Sequence, residues 1–393
     1  MALSQSFYQE NRKKMAEQLE HNSLTILFSG REIAMTADAN YPFFANNNFY
    51  YLTGIREPEV VLAMTKDHHG ELSWQLFIEA ADPLKEKWVG KKISRTEAKV
   101  VSGIDEIYYV KDLPQQIARS GSLQLLYFDF KVPQHQNFRT EDEGLQKILK
   151  QCKVKDLHPI LAELRLIKTA EEINAIARAN AVTKQAIGEM QALIKPGTYE
   201  YQLAAFFEYF VKKAGTEGLA FETIVASGEN ATVLHYVSNR CPLKSGDLVL
   251  FDLGARVDGY CGDISRTFAV NGEMTAQQGK LYGIVDAVQK EMFKAYKPGA
   301  VMKDLQNLTK ELFLEKCCSA GFVPENNDIT EFYYHGIGHS LGLDTHDVRP
   351  EGDLILAPGM VMTVEPGLYL EKLGIGIRIE DDVVITDSGC TVL

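Results

Sequence analysis

The chain has few of the features that mark secreted, membrane-spanning or nucleic-acid-binding proteins. It contains only six cysteines in 393 residues, and none forms a CxxC pair, so a disulfide framework is not expected and reduced, cytoplasmic thiols are predicted. No window approaches the roughly 18 apolar residues that a membrane-spanning helix requires. The first 22 residues also lack the apolar core of a signal peptide. A net charge of −12 argues against nucleic acid and against a membrane surface as partners.

The remaining composition is that of a globular protein with more than one domain. Hydrophobic residues make up 45% and charged residues 24% of a chain that is too long for one ordinary core. The His158–Pro159 step is a natural boundary, which predicts domains at 1–158 and 159–393. In the first of these, short apolar runs alternate with polar helical stretches, which is typical of an α/β (α+β) domain. The runs predicted as strands are "LTILFSG", "FYYLTGI", "EVVLAMT", "WQLFIEA" and "QLLYFDF".

The sequence of the second domain contains an internal repeat. "KPGTYEYQLAAFFEYFVKKAG" resembles "KPGAVMKDLQNLTKELFLEKCCSAG", and "LKSGDLVLFDLG" aligns without a gap to "LAPGMVMTVEPG". The second alignment places Asp252 on Glu365, and a looser fit places Asp263 on Glu380. Because the similarities occur in the same order, they predict a duplicated half-domain over residues 170–393. Two such halves would pack about a pseudo-two-fold axis and bring their equivalent acids face to face.

These four acids lie in or beside apolar strands, where a carboxylate is costly unless it is paired or bound to a metal. Each one could pair with a neighbouring base such as Arg266 or Arg378. Four acids at matching positions are harder to satisfy with two arginines, so a metal cluster is the better account. Four carboxylates balance two divalent cations. A ligand set dominated by oxygen, with a single nitrogen, suits Mn²⁺ and, less well, Zn²⁺ or Co²⁺.

The segment "FYYHGIGHSLGLDTHD" places His335, His339 and His346 among glycines. Such a loop can be a tri-histidine metal site, a general base with helpers, or a buried structural loop. His235 precedes the first repeated strand by about as much as His346 precedes the second. A lone histidine is more often structural, but the matched placement of these two favours function. The other histidines lie in polar surroundings and are expected at the surface: His21, His68, His69, His135 and His158.

Several motifs together carry a family resemblance. The ordered set "LFDLG", "GYCGDISRTF", "HGIGHSLGLDTHD", "TVEPGLY" and "GIRIEDD" resembles the pita-bread metallopeptidases of family M24. Within that family, "NNNFYYLTGIREPEVVL" and "KWVGKKIS" resemble the N-terminal domain of the Xaa-Pro aminopeptidases (aminopeptidase P), which methionine aminopeptidases lack. The match extends over nearly the whole chain. It implies an aminopeptidase P-like α/β domain, then a pita-bread catalytic domain with duplicated halves, in a homodimer or homotetramer.

The resemblance also implies a role for each candidate residue. It implies that the protein binds two divalent metal ions as cofactors, most suitably Mn²⁺. The five ligands would be Asp252, Asp263, His339, Glu365 and Glu380. The histidines that contact substrate and stabilise the tetrahedral intermediate would be His235, His335 and His346. Glu365 would also accept a proton, and Arg378 would hold a bridging carboxylate in place. Two aromatic residues are further candidates for substrate binding: Tyr369, for which packing is the alternative, and Trp88, which in this family can line the site of a neighbouring subunit.

The activity implied is hydrolysis of the bond before proline, by a hydroxide that bridges the two metals, in peptides with proline at the second position. The X–Pro amide has no N–H, so proteases that read an extended N–H-bearing strand reject it, and a dedicated pocket makes chemical sense. One alternative is an Xaa-Pro dipeptidase (prolidase) with nearly the same ligands. Another is a non-catalytic pita-bread binding protein, although all five ligand positions are filled. Family members usually continue for a short segment beyond the position of "DSGCTVL".

Overall fold

The computed structural model describes residues 3–119, 123–131, 152–270, 272–323 and 328–393. It divides into two compact units, Met1–Leu164 and Arg165–Leu393. The boundary predicted after residue 158 lies within a helix, and its position stays a prediction. Within the ranges given above, no helix combines the length and the apolar character needed to cross a membrane.

The first unit is built on a mixed six-stranded sheet. Its strands lie in the order β4-β3-β2-β1-β5-β6, and the pairs β1–β2 and β2–β3 are antiparallel while the others are parallel. The strands are β1 (Ser23–Phe28), β2 (Val61–Lys66), β3 (Leu72–Ile78), β4 (Glu106–Tyr109), β5 (Leu125–Phe128) and β6 (Lys153–Asp156). The helices are α1 (Gln5–Glu17), α2 (Asn47–Thr53), α3 (Glu86–Val89), α4 (Arg95–Ser102), α5 (Leu113–Arg119) and α6 (His158–Leu166). These elements confirm the predicted α/β (α+β) class.

Four of the five predicted strands are present as β1, β2, β3 and β5, but the prediction for "FYYLTGI" was wrong. Its aromatic residues favour a strand, yet the segment forms α2 because both ends carry helix caps. The side chain of Asn46 accepts a hydrogen bond from Phe49 N at 2.9 Å. Gly54, with φ of 72°, ends the helix in the left-handed region. The caps therefore outweigh the strand preference of the residues between them.

The histidines expected at the surface divide into three groups. His21, His68 and His69 are exposed, as expected. The prediction for His158 was wrong, since it is only 8% exposed and its Nδ1 lies 3.3 Å from Oδ1 of Asp129. His135 lies outside the described residues.

The second unit contains two antiparallel three-stranded sheets, β7-β8-β11 and β12-β15-β16, and two short hairpins, β9-β10 and β13-β14. Its helices are α7 (Ala170–Met190), α8 (Glu200–Lys213), α9 (Ala276–Ala295) and α10 (Met302–Ser319). Its strands are β7 (Ile224–Ser227), β8 (Leu248–Leu253), β9 (Arg256–Val257), β10 (Tyr260–Cys261), β11 (Ile264–Ala269), β12 (Val361–Val364), β13 (Gly367–Leu370), β14 (Ile375–Arg378), β15 (Asp381–Ile385) and β16 (Cys390–Val392).

The two halves of this unit share local geometry. One core cluster joins α7 and α8 to β8 and β11, and another joins α9 and α10 to β12–β15. In the first half, Gly197 N donates to Leu243 O at 2.8 Å, and in the second half Gly299 N donates to Leu356 O at 2.8 Å. Each Pro-Gly turn is therefore tied in the same way to the loop before its strand. The repeat predicted from the sequence is present in the backbone.

The halves meet where β14 packs on β11. Thr267 Oγ1 donates to Arg378 O at 3.1 Å and accepts from Arg378 N at 3.2 Å. Two residues on, Glu380 N donates to Ser265 O at 3.0 Å. These bonds bring residues 378–380 of the second half to the ends of β8 and β11 in the first half.

Candidate metal centre and active site

The first two candidate ligands lie on neighbouring strands. Asp252 is near the end of β8 and pairs with Ser265 across the β8–β11 ladder, and Asp263 directly precedes β11. The chain between them forms the β9–β10 hairpin, whose turn residues Asp258 and Gly259 have φ of 51° and 85°. Two successive left-handed residues are typical of a tight hairpin turn. The hairpin therefore places the two acids on adjacent strands.

The other two candidate acids come from the second half. Glu365 follows β12, and its N–H donates to Ile337 O at 3.0 Å. Glu380 lies between β14 and β15, is 2% exposed, and accepts a hydrogen bond from Ser265 Oγ at 2.7 Å. Since Ser265 pairs with Asp252 in the ladder, this contact joins acids from the two halves.

His339 reaches these acids from the glycine-rich loop. Its N–H donates to Thr363 Oγ1 at 3.0 Å, and Thr363 N donates to its carbonyl at 2.9 Å, so the loop is fixed along β12. Its Nδ1 lies 3.1 Å from Ser340 O. Donation there leaves the Nε2 lone pair directed at the acids. Nε2 lies 3.6 Å from Oδ2 of Asp263 and 3.5 Å from Oε1 of Glu365, which is beyond ordinary hydrogen-bond distance.

The geometry and the donor set fit divalent cations. One ligand atom from each of Asp263, His339 and Glu380 lies within 4.8 Å of the other two. Among the candidate ligands, two buried carboxylate oxygens, Oδ1 of Asp252 and Oδ1 of Asp263, have no hydrogen-bond partner within the described part of the chain. Buried polar atoms are normally satisfied, so buried oxygens without a partner are expected of residues that bind a metal. Carboxylate oxygens with one imidazole nitrogen form a hard, oxygen-rich set.

The electrostatics of the acids point the same way. Burial, and then the charge of Asp252, raise the pKa of Glu365 to about 8 against the opposing charge of Arg378. Burial and the neighbouring carboxylates hold the pKa of Asp263 and of Glu380 well above the usual range. Burial and the charge of His346 lower the pKa of His339 to about 4, so its ring is neutral, as a metal ligand must be. The negative charge of the ionised acids is therefore not balanced by the neighbouring side chains, and bound cations would balance it.

Arg378 connects Asp252 to His335 through Tyr369. The Arg378 guanidinium donates to Oδ2 of Asp252 at 2.6 Å, to Ser265 Oγ at 2.8 Å and to the Tyr369 hydroxyl at 3.0 Å. The Tyr369 hydroxyl also lies 2.8 Å from Nε2 of His335. Tyr369 is only 2% exposed, so it lies behind His335 rather than at the open surface.

The remaining histidines lie on the accessible side. The ring of His346 is exposed and packs against that of His339, with centroids 4.0 Å apart. His235 is also exposed. Burial first, and then the charge of His235, lower the pKa of His346, so these two rings are electrostatic neighbours. Trp88 is the one predicted site residue in the first unit, on α3, where it is 90% exposed.

Sequence reasoning missed the residues that support the acids. Ser265 contacts both Glu380 and Arg378, and Thr267 holds the backbone of Arg378. The signal was the alternation of β11, because residues two and four positions after Asp263 lie on the same face of the strand.

Comparisons with known proteins cover the whole chain. The sequence profile described as "Metallopeptidase family M24" matches residues 174–387, and that of "Aminopeptidase P, N-terminal domain" matches residues 8–127. The chain is 32% identical to the Xaa-Pro aminopeptidase of Escherichia coli (strain K12), over 98% of this chain and 94% of that protein. It is also 32% identical to the mitochondrial intermediate cleaving peptidase 55 of Arabidopsis thaliana, over 98% and 79%. The structure of E. coli aminopeptidase P with the inhibitor Pro-Leu matches with a TM-score of 0.91 at 32% identity, covering 100% of this chain and 95% of that one.

Proposed function

The chain belongs to metallopeptidase family M24 and is a metal-dependent aminopeptidase with a pita-bread catalytic domain, and we propose that it releases the first residue of peptides whose second residue is proline. The observation that carries this proposal is that acids from two half-domains surround one imidazole: Asp263 and Glu380 group with His339, Glu365 lies 3.5 Å from His339, and the charge of Asp252 acts on Asp263. Two of these acids, Asp252 and Asp263, each have one buried carboxylate oxygen without a hydrogen-bond partner within the described residues. The whole-chain similarity to an Xaa-Pro aminopeptidase supports the substrate class.

The proposed metal ligands are Asp252, Asp263, His339, Glu365 and Glu380. Two divalent ions held there would activate a water as nucleophile and polarise the scissile carbonyl. An oxygen-rich set with one nitrogen favours Mn²⁺ over Zn²⁺ or Co²⁺. In this proposal, Arg378 holds Asp252 in place through the bond at 2.6 Å and keeps one carboxylate oxygen directed away from the guanidinium.

Glu365 is proposed to move the proton. Thr363 Oγ1 donates to its Oε1 over 3.4 Å, and Nδ1 of His335 lies 3.8 Å from its Oε2. A carboxylate in this position can accept a proton from the attacking water and pass it to the leaving proline nitrogen. The proline nitrogen must be protonated to leave as an amine, so this transfer is needed whatever the first residue is.

The histidines are proposed to handle the charge that develops on the peptide. Nδ1 of His335 lies 2.8 Å from Gly336 O, and burial, then the charge of Arg378, lower the pKa of His335 to about 3. The ring is therefore neutral, and the nitrogen that carries its proton could donate a hydrogen bond to a developing oxyanion. The exposed rings of His235 and His346 are accessible to a peptide. Tyr369 would act on substrate only through His335, since both contacts of its hydroxyl lie within the chain.

The length of the substrate separates an aminopeptidase from a prolidase. Pro-Leu, the inhibitor in the matching E. coli structure, is the portion that remains when an Xaa-Pro-Leu peptide loses its first residue. A site that holds such a dipeptide extends beyond the proline ring, which supports the aminopeptidase. The relative named intermediate cleaving peptidase 55 is as identical to this chain as the E. coli enzyme, so the requirement for proline has to be tested directly.

The deciding experiment combines metal analysis with three matched substrates: an Xaa-Pro-Xaa tripeptide, the Xaa-Pro dipeptide and an Xaa-Ala-Xaa tripeptide. We expect hydrolysis of the first alone, its loss on dialysis against a chelator, and recovery with Mn²⁺. Cleavage of the dipeptide alone would show a prolidase, and equal cleavage of the alanine peptide would remove the proline requirement. A metal-loaded protein that cleaves none of them would be a binding protein.

We further propose a cytoplasmic homodimer or homotetramer in which Trp88 lines the site of a neighbouring subunit. Three apolar residues of one short segment are strongly exposed: Leu84 at 70%, Trp88 at 90% and Val89 at 73%. Apolar exposure on this scale is typical of a contact surface. All six cysteines are free, as in a reducing compartment. Light scattering that shows a monomer would contradict the assembly.

A further inference from the structure

A buried carboxylate outside the metal centre is surrounded by donors. Glu200, the first residue of α8, is fully buried. Its Oε1 accepts from Ser227 N at 2.8 Å, Ser227 Oγ at 2.7 Å and Asn230 Nδ2 at 3.0 Å. Its Oε2 accepts from the Tyr236 hydroxyl at 2.9 Å and from Cys241 N at 2.8 Å. Each of these five groups donates, so both carboxylate oxygens of Glu200 serve as acceptors only.

All five donors belong to one segment, residues 227–241, which we call the His235 segment. It begins at the end of β7, passes through the 3₁₀ turn Gly228–Thr232, and leads to the loop before β8. Leu234 and Tyr236 pack against a small apolar cluster that includes Tyr369, whereas His235 between them is exposed. The carboxylate therefore fixes both ends and the middle of the segment that presents His235.

The duplicated half shows that the helix start does not itself need this carboxylate. Met302 begins α10 at the position equivalent to Glu200. Its N–H donates to Leu354 O at 2.9 Å, as Glu200 N donates to Cys241 O at 3.0 Å. The Met302 side chain, however, packs against the apolar core. The same backbone turn therefore forms with an apolar side chain, and the buried acid is specific to the half that carries His235.

We propose that Glu200 is a positioning residue that acts through His235, by holding the His235 segment in the conformation in which its imidazole faces the peptide. This inference rests on the proposed role of His235 in peptide hydrolysis. An exposed segment of this length, with a histidine at its outer side, has many other conformations. Five hydrogen bonds to one buried group select one of them, since each bond lost leaves a buried donor or acceptor unsatisfied.

The test is a double-mutant cycle of Glu200→Gln and His235→Ala, read as kcat/KM on the Xaa-Pro-Xaa tripeptide. The amide of Glu200→Gln turns an NH₂ group toward Ser227 N or Cys241 N, so the segment must move. A small misplacement of a substrate-binding group lowers kcat/KM by about tenfold to a hundredfold. The metal content should not change, because Glu200 contacts none of the five proposed ligands. In the His235→Ala background, Glu200→Gln should cost less than about twofold, since coupled residues are not additive.

Two further variants serve as a substitute for Glu200→Gln and as a matched control. Tyr236→Phe removes one of the five bonds and enters the same cycle if Glu200→Gln does not fold. Met302→Gln is the matched control at the equivalent helix start, and we expect kcat/KM within about twofold of the parent because distant, independent sites do not couple.

The possible outcomes separate the two proposals. Full activity of His235→Ala would overturn the proposed role of His235. Loss of activity in His235→Ala with full activity of Glu200→Gln, or equal fold losses from Glu200→Gln in both backgrounds, would overturn the positioning role of Glu200.

Discussion

Replacing Asp347 by asparagine should destabilise the catalytic unit more than any exposed substitution, although Asp347 is not a proposed ligand. Its side chain is 1% exposed, and it bonds Arg165 through Oδ1 and Lys168 Nζ through Oδ2, the latter at 3.0 Å. Arg165 retains Asp344 at 2.8 Å in the variant, but Lys168, also 1% exposed, loses its ion-pair partner. Asp344 contacts only Arg165, whereas Asp347 contacts both Arg165 and Lys168. Asp347→Asn therefore removes the negative charge that the two cations share.

The magnitude follows from the burial of the pair. Removing one partner of a buried ion pair costs about 3–5 kcal/mol, since the other charge stays desolvated. Asparagine keeps the volume, so no cavity is added, and its amide oxygen still accepts one bond. We therefore expect the low end, about 3 kcal/mol. At about 2–4 °C per kcal/mol for a unit of this size, the melting temperature should fall by about 6–12 °C.

The pH dependence provides a second readout with a fixed sign. Burial alone would raise the pKa of Asp347, but the charges of Arg165 and Lys168 outweigh it and hold that pKa below the usual value. A carboxyl group with a lowered folded-state pKa stabilises the fold above its unfolded value of about 3.9, and this stabilisation is lost as the pH falls through the folded-state value. The difference in unfolding free energy between parent and Asp347→Asn should be constant from about pH 5 to 8 and shrink below about pH 4.

The assay is chemical denaturation followed by far-UV circular dichroism at several pH values, with the transition of the catalytic unit fitted separately. Asp344→Asn is the matched control, because its side chain is 45% exposed and its loss should cost about 0–1 kcal/mol. A loss below about 1 kcal/mol for Asp347→Asn at pH 7, or a difference that grows on acidification, would refute the buried-pair reasoning.

Two further predictions concern the metal centre. Glu365→Ala should abolish turnover and lower the metal content measured by plasma mass spectrometry, whereas His346→Ala should lower turnover with the metal content unchanged; unchanged stoichiometry in Glu365→Ala would contradict its assignment as a ligand. Gly338→Ala should weaken metal binding in a titration, because a Cβ at Gly338 would lie 2.1 Å from Thr363 O and force the His339 loop off β12. Gly336→Ala, whose Cβ would meet nothing closer than 3.7 Å, is the control, and equal metal affinity in both variants would show that the loop yields without moving its ligand.

The acids could be found from the sequence because their signal is local. A carboxylate at the end of an apolar strand is costly without a partner, and the gapless alignment of two such strands gives two acids the same position. The loop histidine could be assigned only through the family resemblance. The structure adds a reason for the choice of His339, since its Nδ1 lies beside a carbonyl and its Nε2 faces the acids.

Other features could not be predicted because their causes lie outside the local pattern. The helix that replaced the expected strand at "FYYLTGI" depends on its two caps, which compete with strand-favouring side chains between them. His158 was expected at the surface because its sequence neighbours are polar, yet Asp129, 29 positions earlier, lies beside it in the fold. Polar neighbours in sequence do not determine which side chains are neighbours in space.

In both half-domains the proposed ligand acids are positioned by strands, whereas the exposed histidines are positioned by contacts of their loops with buried carboxylates. The ligand acids lie at strand ends that the β-ladders fix, so duplication of the strand reproduces them in both halves. The exposed histidines, His235 and His346, lie outside the named strands, and the segment of each is tied to a different buried carboxylate. The His235 segment closes on Glu200 through five neutral donors, whereas the loop of His346 is tied by Asp347 to two cations, one of them 182 residues away. Because the halves use unlike anchors, no repeat in the sequence marks them, although both put a buried acid behind an exposed imidazole.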